Sequence, residues 1–133
     1  MGIRNIIGAR QAGTVLLVLM ILLLIMHVLI LFRVLPYDMV WGGRIEDEAS
    51  VVPYEAAALV VMSLFLSVVA IKTGYLKADR LRRAAGIGMW VVFGYFILNT
   101  VGNFASAVWL ENLIFGPLSI VLALLSLRVA LER

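Results

Sequence analysis

The sequence has no cysteine and only one histidine, and charged residues make up just 14% of its 133 positions. Without cysteine, the chain forms no disulfides, no thiolate metal sites and no thiol pair for passing electrons to quinones. A single histidine also excludes bis-histidine haem ligation within one chain. We therefore expect no cofactor and no metal site.

Hydrophobic residues account for 64% of the chain, against about 45–50% in a typical globular protein. A soluble domain of this size has too much surface for its volume to hide so many apolar side chains. Lipid removes that difficulty. The composition therefore predicts an all-α membrane protein.

Four apolar runs are long enough to cross a bilayer, which takes about 20 helical residues. The first run is too long for a signal peptide. A kink or local opening is expected in the last span, at Gly116-Pro117. Short connections favour antiparallel neighbours, so we predict one domain, residues 1–133, folded as an up-down four-helix bundle. The predicted spans are about residues 12–33, 53–72, 84–104 and 111–131.

Basic residues are distributed unevenly between the two predicted sides of the membrane. Nine lie on the side of both termini and the loop after the second span, and only Arg33 and Arg44 lie on the other side. Because cytoplasmic loops are rich in Lys and Arg, this predicts cytoplasmic termini. The positive charge then indicates contact with lipid headgroups, not nucleic acid. The nine residues are Arg4, Arg10, Lys72, Lys77, Arg80, Arg82, Arg83, Arg128 and Arg133.

The loop between the first two spans mixes apolar and charged residues, so we expect it to fold back over the outer mouth of the bundle. Tyr37 and Trp41 suit a membrane interface, and Met39, Val40 and Trp41 are predicted to dip inward. Arg44 is expected to form an ion pair with Asp38, Glu55 or Glu111.

An alternative use of the same region is an acidic cup that concentrates cations. Glu55 is its strongest candidate, because it lies at a span start beneath the predicted lid. The rim would consist of Asp38, Glu46, Asp47, Glu48, Glu55 and Glu111.

Polar side chains within the spans are costly in lipid and therefore mark candidate sites. His27, Asn99, Asn103 and Ser119 fall at similar depths, so we expect them to converge in the outer half of the bundle. They can form an interhelical hydrogen-bond clamp or a ligand or proton site.

Three motifs resemble small four-span proteins that many bacteria encode and that have no assigned activity. The resemblance implies a bacterial inner membrane and supplies no chemistry. Small multidrug exporters have a similar length, but their first span carries a glutamate and here it carries only His27. The motifs are Pro36-Tyr37-Asp38…Trp41-Gly42-Gly43-Arg44, Asn99…Gly102-Asn103 and Phe115-Gly116-Pro117-Leu118.

Three functions fit these features. The first is non-enzymatic binding of a partner, a lipid or a small polar or cationic ligand at the outer mouth. The second is a subunit of an oligomeric transporter or channel, and the third is a membrane enzyme on a lipid-like substrate that uses His27 or Glu55 for acid–base chemistry. Expected partners are membrane lipid and either a second copy or another membrane protein. The candidate ligand-binding residues are His27, Asp38, Trp41, Arg44, Glu55, Asn99, Asn103 and Glu111.

Overall fold

The computed structural model describes residues 2–133, and all regular structure in that range is helical. A short helix, α1, precedes four long helices that pack antiparallel. Each long helix contacts the next one along the chain, and the last contacts the first, so the four form a closed ring. The helices are α1 (Ile3–Ile6), α2 (Ala9–Leu31), α3 (Glu48–Thr73), α4 (Arg82–Ala105) and α5 (Gly116–Ala130).

All four long helices are long and apolar enough to cross a membrane. The last one, counted from Glu111 to Ala130, has 20 residues, which is about 30 Å of helix and equals the thickness of the hydrocarbon layer. Large apolar side chains such as Leu64, Ile87 and Leu98 are more than half exposed on the outside of the ring. The prediction of an all-α chain with four long apolar helices is confirmed.

The helix α3 begins at Glu48, five residues before the predicted start at Pro53. The Asp47 carboxylate accepts a hydrogen bond from the Ser50 amide at 2.8 Å and so caps the helix. Pro53 is the sixth residue of this helix and cannot donate the hydrogen bond that would go to the Ala49 carbonyl. Glu55 therefore lies seven residues inside the helix and not at its start.

A π-helical turn, Glu111–Phe115, leads directly into α5. The Gly116 amide donates to the Glu111 carbonyl, five residues back, so the helix is wider here. Pro117 has no N–H and cannot continue the usual ladder, which explains the opening at this point.

The apolar core lies in two parts. The larger part runs along the centre of the ring and includes Leu16, Met20, Met89 and Phe96. The smaller part lies under the loop between α2 and α3 and consists of Ile30, Val40, Ile45 and Val51.

The two ends of the bundle differ in charge. We call residues 2–10, 72–83 and 128–133 the basic end, because they hold nine of the eleven Lys and Arg residues. We call residues 32–55 and 106–111 the acidic end, because they hold six of the eight Asp and Glu residues. At the basic end, Arg128 donates to the Ile7 carbonyl at 2.7 Å, and Lys72 donates to the Glu132 carbonyl at 2.7 Å. These bonds tie α1 and the last residues to the bundle.

Candidate functional site

Glu55 is fully buried in α3 and accepts hydrogen bonds from two aromatic rings. His27 Nδ1 of α2 lies 2.5 Å from Glu55 Oε2, and Trp41 Nε1 of the loop donates to Glu55 Oε1 at 2.9 Å. Hydrogen bonds to a carboxylate are strong, and burial strengthens them because the local dielectric is lower than that of water. Glu55 therefore fixes the orientation of both rings.

Trp41 reaches Glu55 because the loop backbone turns left-handed at this point. Three successive residues, Trp41, Gly42 and Gly43, have φ values of 61°, 63° and 72°. Glycine adopts this region freely, whereas tryptophan does so at a cost. The Trp41 ring also packs edge-on against Tyr54, with centroids 5.1 Å apart. The hydrogen bond and this aromatic contact together hold the strained residue in place.

Glu111 is the second buried carboxylate at the acidic end, 6% exposed. The Gly42 amide donates to both of its oxygens, at 3.0 and 3.1 Å, and the Ser106 hydroxyl donates to Oε2. All of these donors are neutral. Over residues 2–133, the close contacts between acidic and basic side chains are His27–Glu55 and Arg128–Glu132, so Glu111 has no basic partner in that range.

An amide ladder joins α4 to the start of α5. The Asn103 side-chain amide donates to Asn99 Oδ1 at 3.0 Å, to the Phe115 carbonyl at 3.2 Å and to Ser119 Oγ at 3.4 Å. The expected convergence of Asn99, Asn103 and Ser119 is present.

These groups surround a cavity of about 160 Å³ inside the acidic half of the ring. Because each liquid water occupies about 30 Å³, it has room for a few waters or one small molecule. Its apolar wall includes Phe65, Tyr95 and Phe96. The polar side chains that line it are His27, Trp41, Asn99, Asn103, Glu111 and Ser119.

Two predicted site residues lie outside this cluster, and one predicted pairing is wrong. Asp38 and Arg44 are exposed. Arg44 forms no ion pair with any residue in the range 2–133, because the Gly42 amide occupies Glu111 and Glu55 is enclosed by its two rings. An exposed guanidinium also avoids the cost of desolvation.

The expected partner of His27 is likewise corrected. The position of His27 within the first predicted span placed it at the depth of Asn99 and Asn103, but its hydrogen bond goes to Glu55. The early start of α3 carries Glu55 down to the level of His27, which the predicted start at Pro53 did not allow.

Two residues of the site were missed by sequence reasoning. Ser106 donates to Glu111, and the Asn112 side-chain amide donates to the carbonyls of Asn103, Ser106 and Val108. Together they hold the turn between α4 and the π turn. The available signal was that both polar residues lie close to Glu111 in the sequence.

No protein-family model, no curated protein and no solved structure matches this chain. No family is identified, so the resemblance to small bacterial four-span proteins stays a prediction. The chain is a four-helix protein with four candidate membrane spans. Its function has to be argued from the cavity and the groups around it.

Proposed function

We propose that this chain is a multi-pass membrane protein that binds a small polar ligand in the cavity at its acidic end. The observation that carries the proposal is the cavity itself, about 160 Å³ in volume and lined by six polar side chains within an otherwise apolar ring. Ligand sites are typically concave, largely apolar and equipped with a few well-placed polar groups. Intramembrane polar groups are expensive and mark functional sites.

The proposed orientation puts the acidic end outside the cell and both termini in the cytoplasm. Nine basic residues at one end against two at the other support it through the positive-inside rule. The resemblance to bacterial four-span proteins favours the inner membrane. The expected partners are then lipid headgroups at the basic end and a periplasmic or lipid-dissolved ligand at the acidic end.

Labelling of single cysteines tests the orientation, since the chain has no cysteine of its own. Asp79→Cys places a thiol in the basic end, and Glu46→Cys places one in the acidic end, each at the expense of one exposed acid. In intact bacteria, an impermeant maleimide should label Glu46→Cys and spare Asp79→Cys. The reverse pattern would overturn the orientation.

Filling the cavity tests ligand binding. Ala58 lines the cavity, whereas Ala57 is exposed on the same helix. Primary amines, carboxylates and polyols, each tested on the purified full chain, should include a class that raises the melting temperature of the wild type and of Ala57→Leu. Ala58→Leu should lose that response. Equal responses in all three proteins, or none in the wild type, would contradict the proposal.

The His27–Glu55 contact favours a second candidate, a membrane enzyme with acid–base chemistry on a lipid-like substrate. Because Nδ1 is held by Glu55, Nε2 is the imidazole nitrogen left for the cavity. A carboxylate that orients a histidine in this way prepares it to accept a proton. Mass spectrometry of a lipid extract incubated with the protein should show a change that both His27→Ala and Glu55→Gln abolish.

A further inference from the structure

Glu111 is a carboxylate buried in the wall of a cavity, without a cation beside it in the range 2–133. Glu55, the other buried acid, differs in having His27 at 2.5 Å. Burial of a charge without a counter-charge is unfavourable unless something compensates. The neutral donors Gly42 and Ser106 supply hydrogen bonds and no charge. A positively charged ligand next to Glu111 would supply that compensation.

Aromatic side chains form much of the rest of the wall. Five of them line the same cavity as Glu111. Aromatic faces attract organic cations, and the attraction strengthens when water is excluded. A carboxylate combined with aromatic faces is therefore suited to an organic ammonium ion. The five are Trp41, Phe65, Tyr95, Phe96 and Phe115.

Hydrogen-bonding capacity narrows the class to ammonium ions that carry N–H groups. A carboxylate offers about four acceptor positions, and the Gly42 amide and the Ser106 hydroxyl occupy only part of them. Asn103 also lines the cavity, and its side-chain oxygen accepts no hydrogen bond from residues 2–133. A primary ammonium donates to such acceptors, and a quaternary one does not.

Size and coordination exclude larger ligands and metal ions. An engineered apolar cavity of about 150 Å³ holds a benzene molecule, so this cavity fits a ligand of about six heavy atoms. Calcium takes six to eight oxygen ligands, whereas residues 2–133 contain no group of three His, Asp or Glu side chains placed to hold a metal ion. An anion would face the Glu111 carboxylate directly.

We propose that the cavity binds a small primary ammonium compound, with its charged nitrogen on Glu111 and its carbon chain against the aromatic wall. This inference rests on the proposed function, because it names the ligand class of the same cavity. Gly42 and Ser106 act as positioning groups that hold the carboxylate toward the ligand. Glu55 supports the wall by orienting Trp41 and His27.

The test compares butylammonium with 1-butanol, which has the same number of heavy atoms and no charge. Isothermal titration calorimetry on the full chain in lipid nanodiscs gives both affinities. Because hydrogen bonds to charged groups and cation–π contacts both favour the amine, it should bind at least roughly tenfold tighter. Tetramethylammonium should bind more weakly than butylammonium, since it has no N–H to donate.

Glu111→Gln should lose most of the butylammonium affinity and keep that for 1-butanol, because shape is preserved and charge is removed. Glu46→Gln is the matched control: it removes an exposed acid from the same end and should leave both affinities unchanged. Equal loss in both variants would show a surface-charge effect and overturn the inference. If Glu111→Gln does not fold, the ratio of the wild-type affinities for butylammonium and 1-butanol decides whether the ammonium assignment holds.

The outcomes separate this inference from the proposed function. Equal affinity for butylammonium and 1-butanol, both lost in Ala58→Leu, would overturn the ammonium assignment and leave the ligand cavity standing. The ammonium assignment alone would also fail if neither compound binds but a compound of another class still raises the melting temperature of the wild type and not that of Ala58→Leu. If no compound of any class distinguishes those two proteins, both proposals fail.

Discussion

The two ends of the bundle use polar residues in opposite ways. At the basic end, Lys72 and the buried Arg128 donate to the backbone carbonyls of Glu132 and Ile7. At the acidic end, Glu55 and Glu111 are buried in the bundle, and Glu111 lines a cavity. The first arrangement closes the bundle. The second keeps charge and empty volume inside it, which packing for stability alone would not retain.

Helix packing shows the same contrast. At the basic end, α2 and α3 are so close that a Cβ on Gly13 would collide with the Thr73 methyl group. At the acidic end, the four long helices leave the cavity between them. The helices are thus closely packed at the basic end, and the candidate site lies at the acidic end.

Removal of Glu55 should have the largest effect. In Glu55→Ala, the buried His27 and Trp41 nitrogens lose their acceptor. Leaving one member of a buried pair alone should lower the free energy of unfolding by about 3 kcal/mol. Glu55→Gln keeps one acceptor and should lose less. Unfolding in mixed micelles measures both changes.

The control for that comparison lies at the other end. Glu132 pairs with Arg128, but half of its side chain is exposed to solvent. Water screens a pair with one exposed member, and Arg128 keeps its bond to the Ile7 carbonyl, so Glu132→Ala should lose clearly less than Glu55→Ala. Comparable losses in Glu55→Ala and Glu132→Ala would contradict the distinction between the ends.

The second prediction concerns the close contact at the basic end. Gly13→Ala should lower the free energy of unfolding by about 2 kcal/mol, because overpacking forces neighbouring elements apart. Thr73→Ser removes the colliding methyl group and keeps the hydroxyl that bonds to Val69, so it should restore most of the loss. Gly94→Ala meets open space and is the control. If Gly13→Ala combined with Thr73→Ser is as unstable as Gly13→Ala alone, the collision with Thr73 does not cause the loss.

Sequence reasoning found the helices because each apolar run is long enough to bury itself in lipid. It also selected Glu55, Asn103 and Glu111, since polar residues in or near such runs are costly and therefore informative. The local opening near Gly116-Pro117 followed from the missing proline N–H.

The pairings inside the site were beyond sequence reasoning for identifiable reasons. The His27–Glu55 contact depends on α3 beginning at Glu48, five residues before the predicted start at Pro53. One donor to Glu111 is the backbone amide of Gly42, and no side-chain pattern reports a backbone donor. Arg44 was assigned an ion pair on charge alone, without the cost of removing it from water.

The third prediction separates the two buried acids. Glu111→Gln should raise the free energy of unfolding by about 1 kcal/mol, because an amide costs less to bury than a carboxylate and still offers an acceptor for Gly42. Stabilisation by a change in a site residue is the expected signature of a group retained for function. The same unfolding measurement in mixed micelles applies. A loss as large as that of Glu55→Ala would mean that Glu111 serves the fold.

The smallest effect is expected at the exposed Asp47 cap. Hydrogen bonds from Ser50 lower the pKa of Asp47 below its usual value of 3.8. Because the folded-state pKa is depressed, the cap's full contribution is present above about pH 4 and is lost as the pH falls further. Glu132 behaves similarly, since the hydrogen bond from Arg128 lowers its pKa, so a global unfolding curve mixes both ends. Hydrogen exchange at the Ser50 amide isolates the cap. In the wild type, exchange protection of this amide should fall in acid, and in Asp47→Asn, which keeps an acceptor without the charge, it should not change with pH. In Asp47→Ala, protection should be low at every pH. An acid-dependent loss that persists in Asp47→Asn would assign the effect to another group.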